Sequence, residues 1–230
     1  MRSLADSTWH DAEKQRDRVL VVPVGATEQH GPHLPLTTDT DIAVALVQRL
    51  ADALPDVVVV APAVAYGSSG EHEAFAGTIS IGQAATEHLL VELGRSATRT
   101  WPRVLLVSAH GGNAEPVARA TRRLQDEGRD VRAWTPPWHD AHAGHSETSV
   151  MLALAPGRVD AAAAEAGATA PLAELLPVLM ERGVAAVSPN GVLGDPAGAG
   201  AEDGARLLDA ALSSLRAAAL DPPRVHACRA

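Results

Sequence analysis

Val19-Leu20-Val21-Val22-Pro23-Val24-Gly25-Ala26-Thr27-Glu28-Gln29-His30-Gly31-Pro32-His33-Leu34-Pro35-Leu36-Thr37-Thr38-Asp39-Thr40-Asp41 opens with a continuous apolar run and then turns polar. The run reads as a buried core strand. In an open α/β sheet the loops leaving the carboxyl ends of strands line the active crevice. Glu28, His30, His33, Asp39 and Asp41 all follow that point, five candidate ligands within fourteen residues. Glu28 and His30 are two apart, so an extended chain sends both side chains to one face. Asp39 or Asp41 is expected as N-cap of the helix that follows, but a capping loop does not explain the Glu-x-His pair.

Further strand-like and helical runs alternate along the chain. Val57–Ala61, Arg103–Ser108 and Val131–Trp134 read as strands, and 41–54, 86–100 and 114–127 as helices. This βαβαβαβ order predicts an α/β fold: a three-layer α/β/α sandwich with a mostly parallel central sheet. Residues 19–220 are read as one catalytic domain, between a polar segment 1–18 and a tail 221–230. Past Thr148 a short helix 149–154, a variable connection 157–185 and a last helix near 202–220 are expected.

Of ten histidines, seven (His30, His33, His72, His110, His139, His142 and His145) fall in the loops that follow the four strands. A scattered surface population would not gather there. The formal net charge is −9 and no basic run exists, which argues against nucleic acid or an anionic membrane as partner. The only cysteine is Cys228, so thiolate metal sites and internal disulfides are excluded. With no apolar run of bilayer length and no signal-type core, a cytoplasmic protein is expected.

A metal must therefore be held by imidazole and carboxylate. Glu28, His30, Asp39, His110 and Glu147 would draw on three strand exits, and they suit one or two ions of Zn(II), Fe(II) or Mn(II). Asp39 is the natural bridge, one oxygen for each ion. Paired ions lower the pKa of bound water toward neutrality, which is hydrolytic chemistry. His142 is the candidate proton carrier, with Glu147 beside it in the catalytic set. Glu71, His72, Thr78, Gly111, Gly112 and Trp138 are the expected substrate-binding residues. Against each stands a plain structural role: His33 and Asp41 as orienting or capping groups, Glu71-His72 as a brace for Tyr66 and Phe75, His139 and His145 as surface residues, and Trp138 as core.

Thr27-Glu28-Gln29-His30-Gly31-Pro32-His33-Leu34-Pro35 with Asp39, Gly70-Glu71-His72, Gly77-Thr78, His110-Gly111-Gly112-Asn113 and His142-Ala143-Gly144-x-x-Glu147-Thr148-Ser149 together resemble the creatininase (creatinine amidohydrolase) family. Ala65-Tyr66-Gly67-x-Ser69, Ala141-His142-Ala143-Gly144-His145, Gly183–Ser188 and Gly191–Pro196 resemble more closely its mycofactocin-system branch. The resemblance implies the α/β/α fold, divalent metal at the five ligands above, and a homo-oligomer. It also implies hydrolysis of a modified ribosomal precursor peptide before its last two residues, releasing a cross-linked Val-Tyr-derived unit. Creatininase carries a glutamate ligand two residues after the histidine matching His110, where this chain has Gly112. Glu147 is the expected replacement. Two other activities fit the residues: an amidohydrolase acting on a cyclic amide or formamide, and a non-catalytic, metal-dependent peptide-binding protein.

Overall fold

A computed structural model describes residues 3–138 and 140–222, so His139 and Cys228 lie outside the described residues. Helix α1 (Trp9–Glu13) begins at a capping box, with the Thr8 hydroxyl accepting from the Asp11 N–H and the Asp11 carboxylate accepting from the Thr8 N–H. Then follow β1 (Val19–Val24), α2 (Thr38–Ala53), β2 (Val58–Val60), α3 (Gly82–Ala97), β3 (Arg103–Ser108), α4 (Ala114–Asp126) and β4 (Val131–Trp134). Helices α5 (His145–Leu154), α6 (Leu172–Arg182) and α7 (Ala201–Leu220) complete the chain.

The strands form one parallel sheet in the order β2-β1-β3-β4, with Val19 opposite both Val58 and Arg103. The sheet is covered on both faces, so β1 and the Val104–Val107 stretch of β3 are continuously apolar rather than alternating. Val19 and Val21 of β1 with Leu105 and Val107 of β3 pack against Ile42, Leu46 and Leu50 of α2, Met151 of α5, and Leu208 and Leu215 of α7. Leu20, Val22, Val24, Val104 and Leu106 point the other way, onto Leu90 and Val91 of α3 and Val117 and Leu124 of α4. Burying each such side chain contributes about 1.5–3 kcal/mol.

The two edges of the sheet differ in kind. At the amino ends Arg103 and Arg132 are buried and paired with Asp130 at 2.8 and 2.9 Å, and both also donate to the Asp221 carbonyl at the end of α7. Those charges are structural ties. The carboxyl ends carry the unpaired chemistry.

Several boundaries differ from expectation. Helix α2 starts at Thr38, with Thr37 as N-cap, so Asp39 and Asp41 stand in the first turn and neither caps it. Asp41 instead accepts from the Thr37 hydroxyl and from Arg158, at 2.8 and 2.7 Å. Helix α5 begins at His145 rather than at Ser149, because the Asp140 carboxylate accepts the Ser146 N–H at 2.7 Å. Helix α6 lies inside the stretch read as a variable connection, its apolar period obscured by Pro177. Among the described residues no helix is long and apolar enough to cross a membrane.

Candidate metal centre

Gly25 leaves β1 against the first turn of α2, where an added Cβ would stand 2.4 Å from Thr40 Oγ1. That close approach sets Glu28 and His30 beside Asp39. His30 donates Nδ1–H to the Glu28 carbonyl at 3.1 Å, which turns Nε2 toward Asp39 Oδ1 at 3.1 Å and Glu147 Oε2 at 3.9 Å. From the exit of β3, His110 donates Nε2–H to the Ser68 carbonyl at 2.8 Å. Its Nδ1 lies 3.3 Å from Asp39 Oδ2, and its Nε2 3.1 Å from Glu28 Oε2. Beyond β4, His142 donates Nε2–H to the Gln29 carbonyl at 2.8 Å and turns Nδ1 toward Glu28 Oε1 at 3.6 Å. Glu147, in the first turn of α5, accepts the Ala143 N–H at 2.6 Å. Ala143 is the one non-glycine residue with positive φ among those described, at 51°, and this turn is what aims its N–H at the carboxylate.

These side chains form three overlapping groups that could hold a metal ion: Glu28–Asp39–His110, His30–Asp39–Glu147 and Glu28–His30–His142. Within each group the candidate ligand atoms lie within 4.8 Å of one another. Asp39 belongs to two groups and presents a different oxygen to each histidine, the bridging position. Glu28 Oε1 and Oε2 and Asp39 Oδ2 are buried and accept no hydrogen bond. Three orphaned carboxylate oxygens between imidazoles are a poor arrangement for a finished core and a fit one for divalent cations.

The electrostatics carry the same sign. Burial pushes Glu28 up to about 8, against the pull of His110 and with the push of Asp39. Burial likewise raises Glu147 to about 7. For His30 burial opposes the proton, but the charges of Asp39, Glu147 and Glu28 outweigh it and raise the imidazole to about 10. Asp39 is held low by His30 and His110 in spite of its burial. Burial drives His72 down to about 3 and His142 well below the ordinary histidine value, both helped by neighbouring imidazoles, so these two rings are neutral at pH 7.

A cleft of about 1070 Å³ opens over the cluster. Asp39, His110, His142 and Glu147 reach it, with Glu71, His72, Gly111 and Gly112 around them. Its outer wall is α6, through Leu172, Leu176 and Met180. Of the expected substrate-binding residues, Thr78 and Trp138 do not line this cleft. The Thr78 hydroxyl accepts the Gln29 N–H at 3.0 Å, and Trp138 packs against the core face shared by α2, α5 and α7. His33 turns away from the cluster to Thr148 Oγ1 at 2.8 Å, and His145 faces Asp203 of α7 at 3.5 Å. Sequence reasoning missed Gln29, whose amide touches His72 and Gly191, and Ser69, whose hydroxyl lies 3.4 Å from His110 Nε2. For Gln29, its place between two predicted ligands was the available signal.

A carboxylate–imidazole cluster at the carboxyl edge of a parallel sheet places this chain among α/β hydrolytic enzymes of the metal-dependent class. The family model for creatininase, described as creatinine amidohydrolase, matches residues 5–219, and the chain belongs to that family. It is 54% identical over 196 residues to the mycofactocin precursor peptide peptidase of Mycolicibacterium smegmatis, covering 82% of this chain and 79% of that protein. The protein of the same description from Mycobacterium tuberculosis is 51% identical over 202 residues, 83% and 80% of the two chains. Among solved structures, one described as creatininase Mn superposes with a TM-score of 0.80 at 27% identity over 94% of this chain and 97% of that one. A mutant creatininase of Zn-Zn type gives 0.78 at 26% over 95% and 97%.

Proposed function

We propose that this chain is a metal-dependent peptidase that hydrolyses the modified mycofactocin precursor peptide before its last two residues, releasing the cross-linked Val-Tyr-derived unit. The observation that carries the reading is the trio of unpartnered carboxylate oxygens on Glu28 and Asp39, set among His30, His110 and Glu147 beneath an open cleft. The identity to the M. smegmatis peptidase supports the substrate. Glu28, Asp39 and His110 would hold one divalent ion, and His30, Asp39 and Glu147 a second. The Zn-Zn type creatininase structure supports a pair, and Zn(II), Mn(II) or Fe(II) are all suited to these donors. Bound there, the ions would acidify a water and polarise the scissile carbonyl.

The chain's own residues supply the rest. His142 is neutral, its Nε2–H is committed to the Gln29 carbonyl, and its Nδ1 lone pair faces the cluster. Nδ1 takes the proton released as water oxygen bonds to the scissile carbon, and returns it to the departing amine nitrogen as the C–N bond breaks. One water is consumed, and the products are a peptide carboxylate and the amine of the released unit. Leu172, Leu176 and Met180 give the peptide an apolar wall. A homo-oligomer, implied by the family resemblance, and the cytoplasmic location expected from the sequence belong to the same proposal, and light scattering reads the subunit number.

The test is mass spectrometry of the modified precursor peptide incubated with the protein and each of Zn(II), Fe(II) and Mn(II), beside a chelated control. Loss of the C-terminal unit only in the metal tubes is expected. Intact peptide throughout, with turnover of creatinine or a formamide in parallel tubes, would move the chain to the amidohydrolase reading. Binding of peptide without any turnover would favour a carrier protein.

A further inference from the structure

Gln29 lies between two predicted ligands and is buried, and its side-chain amide is held by hydrogen bonds to Gly31 and Gly191. Its amide orientation follows from two backbone partners. The Gly31 N–H can only donate, and it sits 2.8 Å from one amide atom, which is therefore Oε1. The Gly191 carbonyl can only accept, and it sits 3.0 Å from the other, which is therefore Nε2. One Nε2 hydrogen goes to Gly191. The second has two imidazole nitrogens in reach: His72 Nδ1 at 2.8 Å and His142 Nε2 at 3.1 Å. His142 Nε2 already donates its own proton to the Gln29 main-chain carbonyl at 2.8 Å, so it has no lone pair to offer. The hydrogen goes to His72 Nδ1.

The consequence appears at Glu28. His72 Nε2 and His142 Nδ1 approach the same carboxylate oxygen, Oε1, at 3.5 and 3.6 Å. With Nδ1 occupied as an acceptor, His72 carries its proton on Nε2, which lies 3.5 Å from Glu28 Oε1 without a hydrogen bond to it. With Nε2 committed as a donor, neutral His142 presents a lone pair. We propose that Gln29 is a positioning residue that sets both tautomers, its side chain fixing the His72 proton on Nε2, the nitrogen nearer Glu28, and its carbonyl leaving His142 Nδ1 free as the acceptor in the cleft. Gly191 belongs to the device. It has φ of +82°, and a Cβ there would stand 2.0 Å from Gln29 Oε1.

The tautomer assignment stands independently of the peptidase reading, which only adds its consequence for turnover. The experiment is a long-range ¹H–¹⁵N correlation spectrum of the metal-chelated full chain labelled with ¹⁵N-histidine, recorded for wild type, Gln29→Glu and Gln29→Met. In wild type both His72 and His142 are expected with Nε2 protonated and Nδ1 bare. In Gln29→Glu a carboxylate oxygen replaces the donor, so the proton of His72 is expected to move to Nδ1, while His142, held by the main chain, is unchanged. Gln29→Met adds no charge, and His72 there is expected to average between tautomers. A protonated His72 Nδ1 in wild type would overturn the proposal, as would an unchanged His72 in both folded variants. With metal restored, kcat is expected to fall about 10–100-fold in Gln29→Glu at little changed KM, the usual effect of losing a group that orients a ligand. Loss of turnover with the wild-type His72 spectrum would assign Gln29 a merely structural role and reject the proposal.

Discussion

Gly112→Ala adds one methyl group at a crowded glycine of the cleft. The new Cβ would stand 2.3 Å from the Ser68 carbonyl oxygen, 2.4 Å from Glu71 Oε1 and 2.5 Å from His110 Nε2. Glu71 can swing away, but the Ser68 carbonyl is backbone, and His110 is bound to it at 2.8 Å. Both ends of that hydrogen bond are therefore pushed apart. Forced overpacking of this kind costs about 1–3 kcal/mol, and the lost hydrogen bond about 1 kcal/mol more. For a chain of this length roughly 2–4 kcal/mol lowers the melting temperature by about 5–15 °C. Gly111→Ala is the matched control, because nothing lies within 4 Å of its added Cβ. The assay is thermal or urea unfolding of both chelated variants, with metal content measured after reloading. Gly112→Ala should be destabilised and should lose affinity through His110, while Gly111→Ala should match wild type. Equal stability and metal content in the two variants would refute the reasoning. The same crowding predicts that a glutamate at position 112 will not restore the ligand creatininase has there, since Ser68 and Glu71 already fill the space.

Metal loading should depend steeply on pH. Glu28, raised to about 8, and His30, raised to about 10, hold protons at pH 7 that cations must displace. Affinity is expected to rise from pH 7 toward 10 with proton release on loading, read by calorimetry in buffers of different ionisation enthalpy; a flat profile would contradict it. The chelated fold should behave oppositely. Both groups have folded values above their unfolded 4.5 and 6.5, so their contribution is full below those values and is lost as pH passes about 8 and 10. Its urea midpoint should therefore fall between pH 7 and 10. On the cleft wall, Leu176→Asp should raise KM for the peptide several-fold and leave kcat near wild type, since Leu176 stands on the outer wall rather than among the buried ligands; a loss in kcat alone would show that α6 serves the chemistry rather than binding.

The sheet was legible because β1, β2 and the Val104–Val107 middle of β3 are continuous apolar runs, a pattern that burial on both faces explains. The site was legible because ligand-type residues gather where those runs end. Boundaries were less so. Asp39 looks like a cap because aspartate near a helix start usually is one, but here its carboxylate is turned inward to His30 and His110. Glu147 reads as loop because Gly144 and Asp140, which start α5, carry no local signal before Asp140 is folded against Ser146. Trp138 is expected at the substrate, but it stands partly buried against the core face shared by α2, α5 and α7. Gln29 signals itself only by its place between Glu28 and His30, since an amide is not an expected ligand, and its role exists only once the exits of three separate strands and the Gly191 loop converge on it.

The shared position of Asp39 holds the two halves of the site together. The decisive measurement is metal content of wild type and Asp39→Ala after stripping, reloading and desalting, by inductively coupled plasma mass spectrometry. A pair of ions per wild-type chain and loss of both in the variant are expected, because one carboxylate serves both groups. Full metal content in folded Asp39→Ala, or a wild-type chain that binds none, would contradict the bridging role.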